Sequence, residues 1–349
     1  MGLSIGIVGL PNVGKSTLFK ALTKKPVAIS NYPFCTIEPN VGIVEVEDKR
    51  LDKLQEISKA PAIPAIIKFV DIAGLVKGAA KGQGLGNQFL AHIREVDAIL
   101  HIVRCFKRED VSHVETTVDP IRDIEIVNSE LILKDLETIE KRMEKIIGDV
   151  KANKKEAKEE FEILNQLKES LGKGNLAISF SELSVIVHLF LLTAKPQIYL
   201  LNGAETEISN DLKDKLEKEN KDFFIMNLQD ELDVLELTEE EKKELGVSES
   251  KLQELIKKCY NILNLITFFT IVGEKETRAW PIKKGANIIE AAGLVHSDFA
   301  EKFILAEVVN WKNLIENDGW KQCQEKGIIK TVGRDYILND GDVIEIKHH

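Results

Sequence analysis

Short, almost continuous apolar runs alternate with helically spaced ones over the first third of the chain. Leu3–Val8, Ala65–Val70 and Ala98–Val103 are such runs, and Val41–Val46 is a further strand candidate. Thr17–Leu22 is apolar at helical spacing. Strands of this kind separated by helices predict a mainly parallel sheet covered on both faces. The texture changes after about residue 120. From Asp123 to Ile147 apolar residues recur at helical spacing, as Ile126, Leu131, Leu133, Leu136, Ile139, Met143 and Ile146. A charged stretch, Lys151–Glu160, precedes a second helical pattern of Phe161, Leu164, Leu167 and Leu171. The two predict an antiparallel helical pair joined by a polar turn. The α/β texture then resumes with strand candidates Pro196–Asn202 and Asp222–Met226, followed by acidic helices over Glu239–Leu245 and Ser248–Leu263. A third texture begins near Ile266. Thr267–Val272 and Thr277–Ile282 read as strands and Ile288–Val295 as a helix. Arg334–Ile346 reads as two short strands around the turn Asn339–Asp342.

This pattern divides the chain into an α/β domain over 1–122 and 177–265, an inserted helical arm over 123–176, and a small mixed β domain over 266–347. His348 and His349 fit a tag remnant as well as native sequence. The 349 residues suffice for two or three domains. No apolar run approaches the length needed to span a membrane. The N-terminus enters a strand directly, with no secretory signal. The four cysteines, Cys35, Cys105, Cys259 and Cys323, form no close pair, which argues against disulfides or a zinc site and fits a reducing cytoplasm. The net charge of −10 excludes a global attraction to nucleic acid and leaves only local patches, such as Lys151–Lys158 or Lys283-Lys284.

The chemistry concentrates at Gly9-Leu-Pro-Asn-Val-Gly-Lys15-Ser16, a G-x-x-x-x-G-K-S loop between a strand and a helix. Such a loop cradles phosphates with its backbone N–H groups and with the positive end of the helix dipole. Lys15 would reach the β- and γ-phosphates and Ser16 would ligate Mg²⁺. Asp71-Ile-Ala-Gly74 follows the strand ending at Val70, which puts a carboxylate near the metal and the Gly74 N–H near the γ-phosphate. Thr36, between these motifs, is the candidate to complete the Mg²⁺ shell. The residue after D-x-x-G is Leu75, where Ras-like GTPases carry a water-orienting glutamine. Leu75 can neither donate nor accept, so hydrolysis without another group would be slow. The glycine-rich run Gly74–Gly86 is suited to a switch loop. After the strand ending at Leu201 comes Asn202-Gly-Ala-Glu205. Guanine readers carry N-K-x-D there, whose aspartate takes both guanine N1–H and the exocyclic amine. The missing lysine and the longer carboxylate weaken that fork. No base-contacting residue is evident near Asn227–Gln229.

Gly9–Thr17, Asn31–Asn40, Phe69–Ala79, Gly84–Leu90 and the C-terminal run Ala291–Phe303 together resemble the YchF subfamily of Obg-like P-loop NTPases. The resemblance covers essentially the whole chain. It implies a Ras-like, Obg-type G domain, an inserted helical coiled-coil hairpin, and a C-terminal ubiquitin-like β-grasp (TGS) domain. It also implies ATP in preference to GTP, hydrolysis to ADP and phosphate, and ribosome association in translation or stress responses. His113 matches the histidine proposed in that family to substitute for the glutamine, and imidazole can hold or deprotonate a water. Asn12 matches an asparagine that helps bind K⁺ in related NTPases, or it shapes the loop. The nucleotide set is then Asn12, Val13, Gly14, Lys15, Ser16 and Thr17 on the phosphates and Asn202, Gly203 and Glu205 around adenine. Ser16, Thr36 and Asp71 serve the metal, and His113, Lys15 and Gly74 serve catalysis. His92, His101 and His188 read as packing residues. The chain is expected to be a cytoplasmic monomer. Two other readings stand beside an ATP-driven switch: a GTPase with a drifted base motif, and a nucleotide-regulated binding module with incidental hydrolysis.

Overall fold

The computed structural model describes residues 3–24, 27, 32, 40–72, 92–108, 117–245 and 250–348. Two compact units are present. One comprises Met1–Lys25, Thr36–Gly42 and Lys68–Leu255; the other comprises Pro26–Cys35, Ile43–Ile67 and Ile256–His349. In chain order the first elements are β1 (Ser4–Val8), α1 (Lys15–Leu22), β2 (Val41–Val46), α2 (Lys49–Ser58), β3 (Ala62–Ile63), β4 (Ala65–Asp71) and β5 (Ala98–Arg104). Then come α3 (Pro120–Lys151), α4 (Lys155–Gly172), α5 (Ser184–Val187), β6 (Gln197–Asn202), α6 (Asn210–Lys218), β7 (Asp222–Met226), α7 (Leu228–Glu236), α8 (Glu239–Leu245) and α9 (Leu252–Ile262).

The first sheet has the order β2-β4-β1-β5-β6-β7. β1 runs parallel to β4 and β5, β5 to β6, and β6 to β7. Every residue of β5 is buried, as its apolar run requires of a strand covered on both faces. Later strands lie on one side of β1 and earlier ones on the other. That reversal of strand order opens a crevice at the carboxyl ends, where ligands bind in such sheets.

The predicted helical pair is α3 and α4. Asp119 caps α3, its carboxylate accepting from the Arg122 N–H at 3.2 Å, and Pro120 occupies the first turn, where its missing N–H costs nothing. Ile132, Ile139 and Ile146 of α3 bury against Leu164, Leu167 and Leu171 of α4. The charged stretch is shorter as a turn than expected, since α4 already begins at Lys155. Asp135, fully buried on α3, accepts from the N–H groups of Leu192 and Thr193, both at 2.8 Å, and from the Thr193 hydroxyl at 2.7 Å. Burial raises the pKa of its carboxyl, and the three hydrogen bonds oppose that rise.

The remaining elements are β8 (Leu265–Val272), β9 (Glu276–Lys283), α10 (Ile288–Val295), α11 (Ser297–Glu301), β10 (Phe303–Asn310), α12 (Trp311–Glu316), α13 (Trp320–Glu325), β11 (Lys330–Val332) and β12 (Asp342–His348). They form a second sheet of order β11-β10-β12-β8-β9-β3. Ile288, Ala291 and Ala292 of α10 pack on Phe268, Trp280, Phe303 and Ile344. One helix laid across a mixed sheet is the β-grasp arrangement. Residues 43–67 group with this unit, although the texture boundary at 122 placed them with the first. The reason is non-local: Ala62 and Ile63 of β3 pair with Thr277 and Arg278, and the Arg50 guanidinium binds Asp340 at 2.6 Å.

The tail departs from the expected two strands around Asn339–Asp342. Tyr336–Leu338 forms only a single antiparallel bridge, Ile337 with Asn287, and does not extend into a strand. The Ile288 N–H donates to the Tyr336 carbonyl at 2.9 Å, and the Leu338 N–H to the Ala286 carbonyl at 3.0 Å. The strand that β12 pairs with is instead β10, absent from the expectation, in antiparallel register Ala306–Ile346 and Val308–Ile344.

Candidate functional site

Between β1 and α1 the chain turns at residues able to adopt positive φ, with Asn12 at 61° and Gly14 at 108°. Gly14 is the N-cap of α1 and supplies no side-chain cap, so the first-turn N–H groups are those available to an anion. A Cβ on Gly14 would sit 2.6 Å from Asn202 Nδ2 and 2.9 Å from Leu228 Cδ1. Only glycine fits there, on grounds of both backbone and space. The Lys15 ammonium donates to the carbonyls of Gly9 at 3.0 Å and Leu10 at 2.6 Å. The register Ile7–Asp71 sets the buried Asp71 carboxylate level with the start of the loop. Burial lowers the pKa of Lys15 to about 8, opposed by the charge of Asp71.

That value carries a prediction. Bound phosphates hold Lys15 protonated, so its pKa rises in the complex. Below pH 8 the free protein already carries the proton. Above it, binding must take a proton up, and affinity falls by up to about tenfold per pH unit. Calorimetry at pH 7 and 9 in buffers of different ionisation enthalpy measures this uptake. Equal affinities with no proton uptake at pH 9 would contradict the buried ammonium.

The wall opposite the loop comes from the ends of β5, β6 and β7. Asn202, closing β6 and buried, donates through Nδ2 to the Val13 carbonyl at 2.8 Å and accepts through Oδ1 from the Leu228 N–H at 3.0 Å. One side chain thus ties the phosphate loop to the start of α7. The Asn202 carbonyl accepts from the N–H groups of Cys105 at 2.9 Å and Phe106 at 3.2 Å. Buried Arg104 donates to the carbonyls of Phe106 and Arg108 and lies 4.5 Å over the Phe106 ring. Asn227 caps α7 by accepting from the Gln229 and Asp230 N–H groups. These pieces enclose a cavity of about 470 Å³, of the size small-molecule sites have.

Of the residues expected from sequence, Asn12, Gly14, Lys15, Ser16, Thr17 and Asn202 line this cavity together. Val13 is buried beneath it and contributes through its carbonyl. Gly203 and Glu205 are not in the lining. Glu205 opens a short 3₁₀ turn and pairs with Lys213; from this turn it is Glu207 that lines the cavity, accepting from the Ala204 N–H at 2.8 Å. Phe106, Arg108 and Asn227–Asp230 also line it without having been expected. A signal existed for the last, since an Asn followed by Asp or Glu after a strand marks a helix cap. Thr36, Gly74, Leu75 and His113 lie outside the described residues. The Ser16 hydroxyl and the Asp71 carboxylate are hard oxygen donors at one edge of the loop, a set that fits Mg²⁺ when phosphate oxygens and waters supply the rest.

The histidines divide. His101 is buried against the Tyr199 ring, with centroids 5.2 Å apart, and burial lowers its pKa to about 3, so it is a neutral packing residue. His92 is half-buried beside Glu95. His188, which caps the C-terminus of the four-residue α5, is exposed, contrary to its reading as a packing residue.

A glycine loop at the carboxyl end of a central parallel strand, walled by the ends of the next strands, defines a P-loop nucleotide-binding protein, here with a helical hairpin and a β-grasp domain. Comparison with known proteins narrows the class. Residues 4–133 match the family MMR_HSR1, described as "50S ribosome-binding GTPase", and residues 265–349 match YchF-GTPase_C, described as "Protein of unknown function (DUF933)". The chain is 46% identical over 364 residues to the ribosome-binding ATPase YchF of Bacillus subtilis, covering 99% of each. It is 44% identical over 358 residues to that of Escherichia coli O157:H7, covering 99% of this chain and 98% of the relative. The solved structure of the Schizosaccharomyces pombe YchF GTPase superposes with a TM-score of 0.88 at 38% identity, covering 99% of this chain and 98% of that one. The chain belongs to the YchF family.

Proposed function

We propose that the chain binds and hydrolyses ATP as a molecular switch acting with the ribosome. The observation that carries the nucleotide choice is the state of the base wall. Asn202 commits its amide nitrogen to Val13 and its amide oxygen to Leu228, and Glu205 commits its carboxylate to Lys213. Glu205, at the position of the base-reading carboxylate and outside the cavity lining, is not disposed to take guanine N1–H and the exocyclic amine together. The wall offers instead the Phe106 ring, with the polar groups of Asn227 and Gln229, to an adenine. The bacterial relatives are named ribosome-binding ATPases and the fission yeast relative a GTPase, so the base preference of this chain rests on its own residues.

In this reading the loop N–H groups and Lys15 hold the phosphates, with Ser16, Thr36 and Asp71 directed to Mg²⁺. When bound, Mg²⁺ neutralises charge on the phosphate oxygens. The Gly74 N–H senses the γ-phosphate, and His113 holds the attacking water in place of the side chain that Leu75 cannot provide. Asn12 is directed to K⁺. Turnover is slow until the ribosome brings His113 to the γ-phosphate, and the protein works as a cytoplasmic monomer. Single-turnover hydrolysis of ATP with and without ribosomes tests this. The expected result is slow release of phosphate, accelerated by ribosomes and lost in His113→Ala. Hydrolysis indifferent both to ribosomes and to His113→Ala would favour a nucleotide-regulated binding module.

A further inference from the structure

Away from the nucleotide cavity, α3 and the α5 region enclose a second concavity of about 820 Å³. Lys134, Thr138, Lys141, Arg142 and Lys145 line it from one face of α3, at helical spacings of three, four and seven. With Arg94, the lining holds five cations against two carboxylates, Glu137 and Glu160, in a chain whose net charge is −10. Part of this charge is structural. Lys134 is held by Glu137 at 2.7 Å, Arg142 makes a two-point contact with Glu160 on α4, and Arg94 donates to Thr138 at 2.7 Å. Lys141 and Lys145 are exposed and enter no salt bridge among the described residues. From Lys134 to Lys145 the row runs roughly 16 Å at 1.5 Å per helical residue, too long for one compact anion and suited to a chain of phosphates.

The opposite lip is aromatic and apolar. His188 and Leu189 line the concavity. The neighbouring Phe190 is 63% exposed with φ of 49°, and Val187 is 53% exposed. A bulky residue held in the left-handed region with its ring in solvent is an expensive arrangement, of the kind found at functional surfaces. A cation row sharing a concavity with an exposed imidazole is how proteins hold unpaired nucleic acid, with charge along the backbone and a ring under a base.

We propose that this concavity docks a single-stranded RNA segment, its phosphates along Lys134, Lys141 and Lys145 and a base against His188. The inference deepens the ribosomal reading and rests on it for the source of the RNA. The site differs from the patches that sequence alone singled out, Lys151–Lys158 and Lys283-Lys284.

The test uses the full chain, a fluorescent oligouridylate of about twelve nucleotides, a length within the usual single-strand site sizes, and a duplex of the same length. Lys141→Gln/Lys145→Gln is expected to weaken oligouridylate binding about tenfold and to make the log–log salt dependence shallower by about 1.4, two contacts at roughly 0.7 each. Lys151→Gln/Lys158→Gln should leave both unchanged, and the duplex should bind more weakly than the single strand. Wild-type protein that does not bind the oligouridylate, an unchanged salt slope in the first variant, or tighter binding of the duplex would each overturn the proposal. Ribosome sedimentation of the same proteins separates the two readings. Ribosome binding that is untouched in the first variant counts against the RNA site alone. RNA binding through these lysines without ribosome sedimentation supports the site and overturns the ribosomal reading.

Discussion

Gly14→Ala is expected to lower nucleotide affinity by more than about a hundredfold, equivalent to about 2.7 kcal/mol. Two effects combine at this position. Its φ of 108° is strained for any residue with a Cβ, at a cost of roughly 1–3 kcal/mol. The added methyl would also stand 2.6 Å from Asn202 Nδ2 and 2.9 Å from Leu228 Cδ1. To relieve it, Asn202 must leave the Val13 carbonyl or the Leu228 N–H, and that bridge is what holds the phosphate loop against the base wall. Gly174→Ala provides the control. Gly174 also has positive φ, 84°, but its Cβ would meet nothing within 4 Å. It should cost stability of about 1 kcal/mol and leave nucleotide binding unchanged. Calorimetric titration of both variants with nucleotide and Mg²⁺ separates strain from the collision. Equal affinities for the two variants would contradict the role given to the Asn202 bridge.

Asp135→Ala is expected to destabilise the nucleotide-binding unit by about 3–5 kcal/mol, the largest stability loss foreseen for a residue outside the cavity. Alanine leaves the N–H groups of Leu192 and Thr193 without their acceptor in a buried setting, at roughly 1–3 kcal/mol each. The Thr193 hydroxyl loses the same partner. The segment so released runs directly into β6, whose last residue is Asn202, so the anchoring of α3 and the geometry of the base wall are linked along the chain. Asp135→Asn keeps one acceptor but turns an amide nitrogen towards a donor, so it should cost less than alanine and more than nothing. Urea denaturation followed by circular dichroism gives the ordering Asp > Asn > Ala in stability. A loss below 1 kcal/mol for alanine would show that water or relaxation satisfies both amides.

The phosphate loop was readable in the sequence because its chemistry is local: glycine, lysine and serine at fixed spacing between a strand and a helix. The strands β1, β4, β5 and β6 were readable because their apolar runs are almost continuous, and β2 because its buried positions alternate. What could not be read depends on neighbours brought together by the sheet order. Phe106, Arg108 and Asn227–Asp230 meet only because β5, β6 and β7 end side by side. Glu205 matched the position of a base-reading carboxylate, yet the 3₁₀ turn Glu205–Glu207 gives that residue to Lys213 and turns Glu207 to the cavity. Likewise β3 is two residues long and carries no local signal; its place beside β9 is visible only in the register. Tyr336–Leu338 is an apolar run like a strand, but it makes only a single antiparallel bridge, Ile337 with Asn287, just before α10.

The central claim is that the cavity above the phosphate loop selects adenine over guanine because the guanine fork is not assembled. Direct competition of ATP and GTP for the nucleotide-free full chain, with Mg²⁺ and a fluorescent nucleotide as reporter, tests it most directly. The account predicts that ATP displaces the reporter at concentrations at least about tenfold lower than GTP, a difference of roughly 1.4 kcal/mol. Equal displacement, or tighter binding of GTP, would contradict it.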